Sequence, residues 1–573
     1  MSVARSSALV GAPSGPEEPR RSIAVLGAQR EGAGVLALLG AIESTIPVRF
    51  VRLGRIDPAS LAGVLALDPQ ATHTAPRGLP TLTLAASPAA PASAASSGAP
   101  TRVCFGEDPQ LARPLRGRAI GERSLPAELP TPPGEHPRVL ADVTGRPVWM
   151  SFQSFGVPCF ASAYPLAQLG EAETLREHFE PGCFMGLLPL VHFIGAVLGA
   201  ESWALPPPRA AFVVDDPNLH SLSYGFLRYR ELPSHASRHG YHLALATVPL
   251  DGWHVDRRAA ALIRQNAGSL SLAIHGNDHL AGELGRLTDD RQAEAAIAQA
   301  MRRVHCQERR AGLRIDRVMV PPHSACSQAS LRAMFRLGLD GVCINRPYPW
   351  RDGMPGPMPL AGWHPAELVA GGTAVLPRRR LDEDREELIF RALLGQPLVL
   401  YGHHADFAAG LQALEQAAAE VHALAGAHWG SLRQVAEAGC STRRLGERML
   451  VRVHARKSSV KVPAGVRSVE VQIPAPYGGP AWHRLAHQCG VAEVDFKDGW
   501  GLTAPIPCEQ GARLDLMLMP DAPLSPAAIP AARTRAWPLM RRLATETRDR
   551  ALPLARAARP PKAFRPPGRS VAR

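Results

Sequence analysis

Between residues 210 and 445 the chain repeats one unit: a short apolar run, a polar cluster, then a helical stretch. Seven runs fit strands, at 210–214, 241–248, 269–274, 315–320, 340–345, 373–376 and 397–401. Runs this short and this uniformly apolar fit strands buried on both faces, the condition of a parallel sheet covered by its own crossover helices. Seven strand–helix units predict a distorted parallel β/α barrel, with a doubly wound open sheet as the alternative. The clearest helix spans 289–311. Thr288 can cap it, Asp289 and Asp290 suit its dipole, Ile297, Ala300, Met301 and Val304 share one face, and Gly312 follows its end.

The flanks read differently. Residues 22–205 begin with short strands around a small-residue helix and end in runs that suit antiparallel pairs, so an α/β domain is expected. Its layout loosely resembles a glutamine-amidotransferase-like domain, without the Gly-x-Cys-x-Gly nucleophile turn. Residues 85–100, "AASPAAPASAASSGAP", are low-complexity and read as a loop. Residues 446–527 alternate apolar and polar like half-buried strands, which predicts a small β-sandwich. Residues 1–21 read as a flexible leader and 528–573 as a basic, Pro-rich tail.

In parallel β/α folds the C-terminal strand ends share one face, and sites are built there. Four polar clusters fall at such ends: "VVDDPN" with Asp215 and Asp216, "LAIHGNDH" with His275 and His279, "VMVPPHS" with His323, and "LVLYGHHADF" with His403, His404 and Asp406. Two histidines four apart can face one way over a helical turn and grip one ion. Two histidines and a carboxylate leave coordination positions open for water and substrate. A divalent cation, zinc foremost, also answers the repulsion between Asp215 and Asp216: one carboxylate ligates while the other takes a proton.

The order of these motifs resembles the polysaccharide deacetylase family (carbohydrate esterase family 4), over residues 210–445 only. That resemblance implies a distorted β/α barrel and metal-dependent removal of an acyl group, N-acetyl foremost, from a sugar or polysaccharide precursor. It makes Asp215 the general base, Asp216, His275 and His279 the metal ligands, and His403 the general acid, with His404 as runner-up. His323 would offer its backbone N–H to the oxyanion or its side chain as an extra ligand. The family keeps an arginine that orients the base, and Val320 stands in its place. Arg346, in "INRPYPW", is the expected substitute. Two other readings stay open: a non-catalytic metal- or glycan-binding scaffold with a degenerate barrel, and a glycoside hydrolase pairing Asp215 with Asp278 or Asp406.

Charge narrows the partners. The formal net charge is +13, but residues 531–573 hold twelve Lys/Arg against two acidic residues, which leaves +3 for the other 530. The basic character belongs to the tail, so nucleic acid is not the expected partner. A solvated end is the plain reading, and an anionic membrane surface or acidic partner the next. The nine cysteines are scattered without a C-x-x-C pair, as in a reducing compartment. The most apolar window, 183–200, contains Pro189 and His192 and reads as a buried helix. A cytoplasmic protein without a secretory signal is expected.

Overall fold

The computed structural model describes residues 20–27, 32–53, 57–86, 100–130, 135–345, 358–497, 499–531 and 536–557. Seven of the described strands form a closed, all-parallel barrel: β1 (Arg209–Asp215), β2 (Leu243–Thr247), β3 (Leu270–Ile274), β4 (Val318–Met319), β5 (Gly341–Ile344), β6 (Thr373–Arg380) and β7 (Leu398–His403). β1 sits between β2 and β7, with Asp215 opposite Ala246 on one side and His403 on the other. β2 to β5 follow in order. The ring closes where β5 pairs with β6 and β6 with β7. The expected barrel is therefore the fold, and the open sheet is not.

The strand period explains how it packs. Ala210, Phe212 and Val214 of β1 face outward into the core shared with the helices. Ala211 and Val213 face inward, with Ala244, Ala246, Ala273, Cys343, Leu376 and Val399. Alternate residues of a strand point to opposite faces, and a narrow barrel leaves room inside mainly for small side chains. At the opposite end from the polar clusters, Leu432, Val435 and Ala436 of the short helix Leu432–Glu437 complete this inner core.

The surrounding helices are α1 (Leu232–His239), α2 (Arg257–Gln265), α3 (Asp290–Ala311), α4 (Gln328–Arg336), α5 (Glu387–Leu393) and α6 (Gln412–Ala425). α3 is the predicted 289–311 helix, with one change. Asp289 rather than Thr288 caps it, accepting the Gln292 N–H at 3.0 Å. Gly312 ends it with φ 62°, a conformation glycine adopts without a Cβ clash.

On the N-terminal side a nine-stranded mixed sheet runs from Arg21–Leu26 to Val157–Ser162. Its first part is parallel, and Glu135–Val143, Arg146–Ser154 and Val157–Ser162 are antiparallel. The apolar window near 190 forms the helix Leu188–Leu198, with Phe193 and Ile194 buried. No described helix is long and apolar enough to cross a membrane. On the C-terminal side, strands from Cys440–Leu445 to Arg513–Met519 fold over one apolar core containing Val451, Val471, Trp482 and Leu516.

One expectation fails. Residues 536–557 of the basic tail are not a solvated end but a 22-residue helix, Ala536–Ala557, lying against the barrel mouth. Overall charge hid its pattern: a polar face that finds ionic partners on the barrel.

Candidate active site

The inward parity that puts alanines in the barrel carries Asp215 to its rim. The same parity brings His275 in after β3, Arg378 on β6, and Tyr401 and His403 on β7. Asp215 is buried, with 3% exposure. Its Oδ1 accepts a hydrogen bond from Arg378 Nη1 at 2.8 Å. The guanidinium lies 3.9 Å from the centre of the Tyr401 ring, an attractive arrangement for a desolvated cation. Burial opposes ionisation of Asp215, but Arg378, His275 and His403 outweigh it and hold the carboxyl below its ordinary range.

Arg378 thus stands where the arginine missing at Val320 was expected to act. Arg346, the expected substitute, lies outside the described residues. The predicted strand 373–376 stopped at Pro377, whereas β6 continues to Arg380. Proline removes one donor from a ladder without ending it, so parity through the proline was the signal that could have found Arg378.

Asp216, His275 and His279 each present a ligand atom within 4.8 Å of the others. His279 Nε2 is 2.8 Å and His275 Nε2 3.6 Å from Asp216 Oδ1. That buried oxygen has no hydrogen-bond partner among the described residues. A buried carboxylate oxygen facing two imidazole nitrogens without hydrogen-bond geometry is a donor set that fits a divalent cation. His275 Nδ1 donates to the Val320 carbonyl at 2.8 Å, which leaves Nε2 as the lone-pair nitrogen aimed at Asp216. Burial pushes His275 down to about 4, so it stays neutral and able to ligate. A second group, His235, His239 and Glu415, lies outside the barrel on α1 and α6 and is half-exposed.

The two histidines do not sit on a helical turn, as their spacing suggested. Residues 275–279 form a loop wrapped around the Glu283 carboxylate, which accepts the N–H groups of Asn277 (2.6 Å), Asp278 (3.1 Å) and Leu280 (3.2 Å). Gly276 has φ 69° and His279 φ 56°. Asp216 (φ 76°), His323 (φ 56°) and Ser324 (φ 50°) are also left-handed. A non-glycine residue in this region is uncommon and costs energy, and here four of them gather around one point.

The remaining predicted residues separate. His403 is half-buried at the end of β7, beside Asp215 in the sheet register. Its backbone N–H donates to Asp406 Oδ2 at 2.8 Å, so Asp406 caps the turn after β7. His404 has the opposite parity and is buried away from Asp215, packed edge-on to Tyr224 with ring centroids 5.3 Å apart. The His323 side chain is exposed, its ring 5.7 Å from that of His279, and it is not in the three-ligand group. Asp278 is held by Arg303 at 2.5 Å.

The C-terminal helix completes the rim, and the sequence reading missed it. Arg542 is buried, bonds both carboxylate oxygens of Asp251, donates to the Asp216 carbonyl at 3.3 Å, and places Nη1 3.6 Å from Asp216 Oδ1. Arg541 donates to the His279 carbonyl. Asp549 accepts from Tyr224 (2.8 Å) and lies 3.5 Å from His404 Nε2. His220 donates from both ring nitrogens, to Glu546 (2.9 Å) and to the Asp251 carbonyl (2.8 Å).

No family model and no curated protein matches the chain. Solved structures do. One described as a candidate polysaccharide deacetylase from Mycobacterium smegmatis is 16% identical with a TM-score of 0.30, over 41% of this chain and 90% of that one. A family 4 carbohydrate esterase from Streptomyces lividans, in complex with acetate, is 13% identical with a TM-score of 0.23, over 39% and 90%. A CE4 family pseudoenzyme from Bacillus anthracis is 9% identical with a TM-score of 0.24, over 40% and 65%. Likeness at this level leaves the chemistry of the chain to be argued from its own residues.

Proposed function

We propose that the chain is a metal-dependent hydrolase that removes an acyl group, N-acetyl foremost, from a sugar or polysaccharide precursor. The observation that carries this reading is the convergence of Asp216, His275 and His279 beside a second carboxylate, Asp215, that is held separately by Arg378. Two adjacent aspartates are thereby divided. Asp216 faces the imidazoles, and Asp215 faces a fixed cation that keeps it ionised and able to accept a proton.

A divalent cation, zinc foremost, held by Asp216, His275 and His279 would acidify water and polarise the acyl carbonyl. Asp215 takes the proton of the attacking water. His403, next to it in the sheet, returns a proton to the leaving amine. The backbone at His323 donates to the oxyanion. Arg378 keeps Asp215 ionised ahead of the attack and orients it.

One observation favours a second reading, a metal- or glycan-binding scaffold without turnover: Arg542 brings a positive charge against the ligand carboxylate. Elemental analysis of the purified protein, paired with hydrolysis of acetylated chito-oligomers and an aryl acetate, separates the two. The hydrolase reading expects about one ion per chain, lost in Asp216→Ala, and turnover abolished in Asp215→Asn with the ion retained. Bound metal with no turnover on any acylated sugar sinks it in favour of the scaffold.

A further inference from the structure

The C-terminal helix is amphipathic in the reverse of the usual sense. Arg542, Glu546 and Asp549, at helical spacing, face the barrel and are engaged by Asp251, His220 and Tyr224. Trp537, Met540, Leu543 and Leu554 face away, with exposures of 66%, 62%, 45% and 73%. A surface helix normally buries its apolar stripe and shows water its charges. Six of the twelve exposed large hydrophobic residues among the described residues lie on this one helix, so they form a patch rather than the scatter any surface shows. Trp253, 56% exposed, lies on the barrel beside the helix's inner face: its ring is 4.9 Å from that of His220, which holds Glu546.

Charge indicates what covers the patch. The two acidic residues of 531–573, Glu546 and Asp549, are both turned inward onto barrel groups. The outer side therefore shows apolar side chains with Arg548, exposed but paired with Asp549 at 2.7 Å, beside them. The sixteen residues that follow the helix, 558–573, add Arg559, Lys562, Arg565, Arg569 and Arg573 and no acid. A second copy of the chain would set these cations against their like. An anionic lipid surface accepts tryptophan, leucine and methionine below its headgroups and arginine among them.

We propose that the outer face of Ala536–Ala557 seats the protein on an anionic lipid surface. The proposal does not depend on the hydrolase reading. It is tested by flotation of the full chain with vesicles of phosphatidylcholine alone and of phosphatidylcholine mixed with phosphatidylglycerol. Binding is expected only to the mixed vesicles and weakens with salt. The double variant Trp537→Ser, Met540→Ser, whose side chains are exposed, keeps its thermal melt and loses about tenfold or more in partitioning. The control Leu125→Ser, an exposed leucine elsewhere, changes nothing. Three results overturn the proposal. The wild type fails to float with anionic vesicles. The double variant floats as well as wild type, so the basic tail alone binds. Or the wild type is a dimer without lipid that the double variant dissolves, so the patch belongs to a second copy.

Discussion

Asp215 and Arg378 form an ion pair with 4% and 2% side-chain exposure, and removing one partner strands the other. Arg378→Leu leaves a desolvated carboxylate, which costs about 3–5 kcal/mol of stability. The sign of the pH effect follows from the same pair. Asp215 is held below its usual value of 3.8, so its contribution is present above that pH and is lost as pH falls through the folded value. Without Arg378 burial dominates and the carboxyl rises. The acid limb of the pH–rate profile then moves to higher pH while bound metal stays constant. A limb that does not move removes Arg378 as the group that positions the proposed base. Val320→Arg, which writes the family's arginine into its usual place, does not strengthen the site. Val320 is fully buried inside the barrel, so chemical denaturation should show a loss of about 3–5 kcal/mol or failure to fold. Asp215, His275 and His403 are legible as candidates because each follows an apolar run that sequence displays, and Asp216 and His279 because they stand close behind. Arg378 was not, since Pro377 interrupts the pattern that would have counted it.

The loop after β3 shows where spacing misleads. Histidines four apart suit a helical turn, yet Glu283 gathers three backbone N–H groups and builds the loop instead. That carboxylate follows His279 by four residues, and nothing in the pattern marks it as the acceptor of backbone N–H groups. The loop depends on Gly276, where a Cβ would meet the Glu283 carboxylate and stand 2.6 Å from Pro322 Cγ, at φ +69°. Gly276→Ala should cost about 1–3 kcal/mol in strain and weaken metal affinity by about 10–100-fold through displacement of His279, read by competition with a chelator. Unchanged affinity would separate the loop from the metal group. Strands were more legible than this loop because β/α units repeat, so each element's neighbours support its assignment.

The C-terminal helix joins the last described stretch of chain to the barrel mouth, and its hold is pH-dependent. Burial works against the His220 cation, but Glu546 and the Asp251 carbonyl outweigh it and raise the imidazole above 6.5. Burial likewise opposes the Glu546 charge, but His220 and Arg550 bring its carboxyl down to about 2. The histidine contribution is full below 6.5 and fades as pH rises through the raised value. The Glu546 contribution is present above 4.5 and fades towards 2. The helix is therefore held best between these limits and more loosely in alkali. Limited trypsin cleavage at Arg548 and Arg550 should accelerate as pH rises from 6 to 8 beyond the protease's own pH dependence, and His220→Gln should flatten that rise. Equal acceleration in both proteins would discount the His220–Glu546 contact. Composition concealed this arrangement: twelve cations in 43 residues read as a solvated tail until Glu546 and Asp549 are seen to point inward.

The order in which strands leave the ribosome gives β1's position in the barrel a temporal meaning. Asp216, His275 and His279 are all made within 64 residues, after the first and third of three strands that pair in sequence order. Arg378 and His403 come from β6 and β7, and β7 must return to β1 across nearly the whole domain. Distant pairings form late because their loop must be closed first. A nascent chain thus gathers Asp216, His275 and His279 before Arg378 and His403 exist. On the hydrolase reading, metal capture would belong to the first three strands, and turnover would wait for the ring to close.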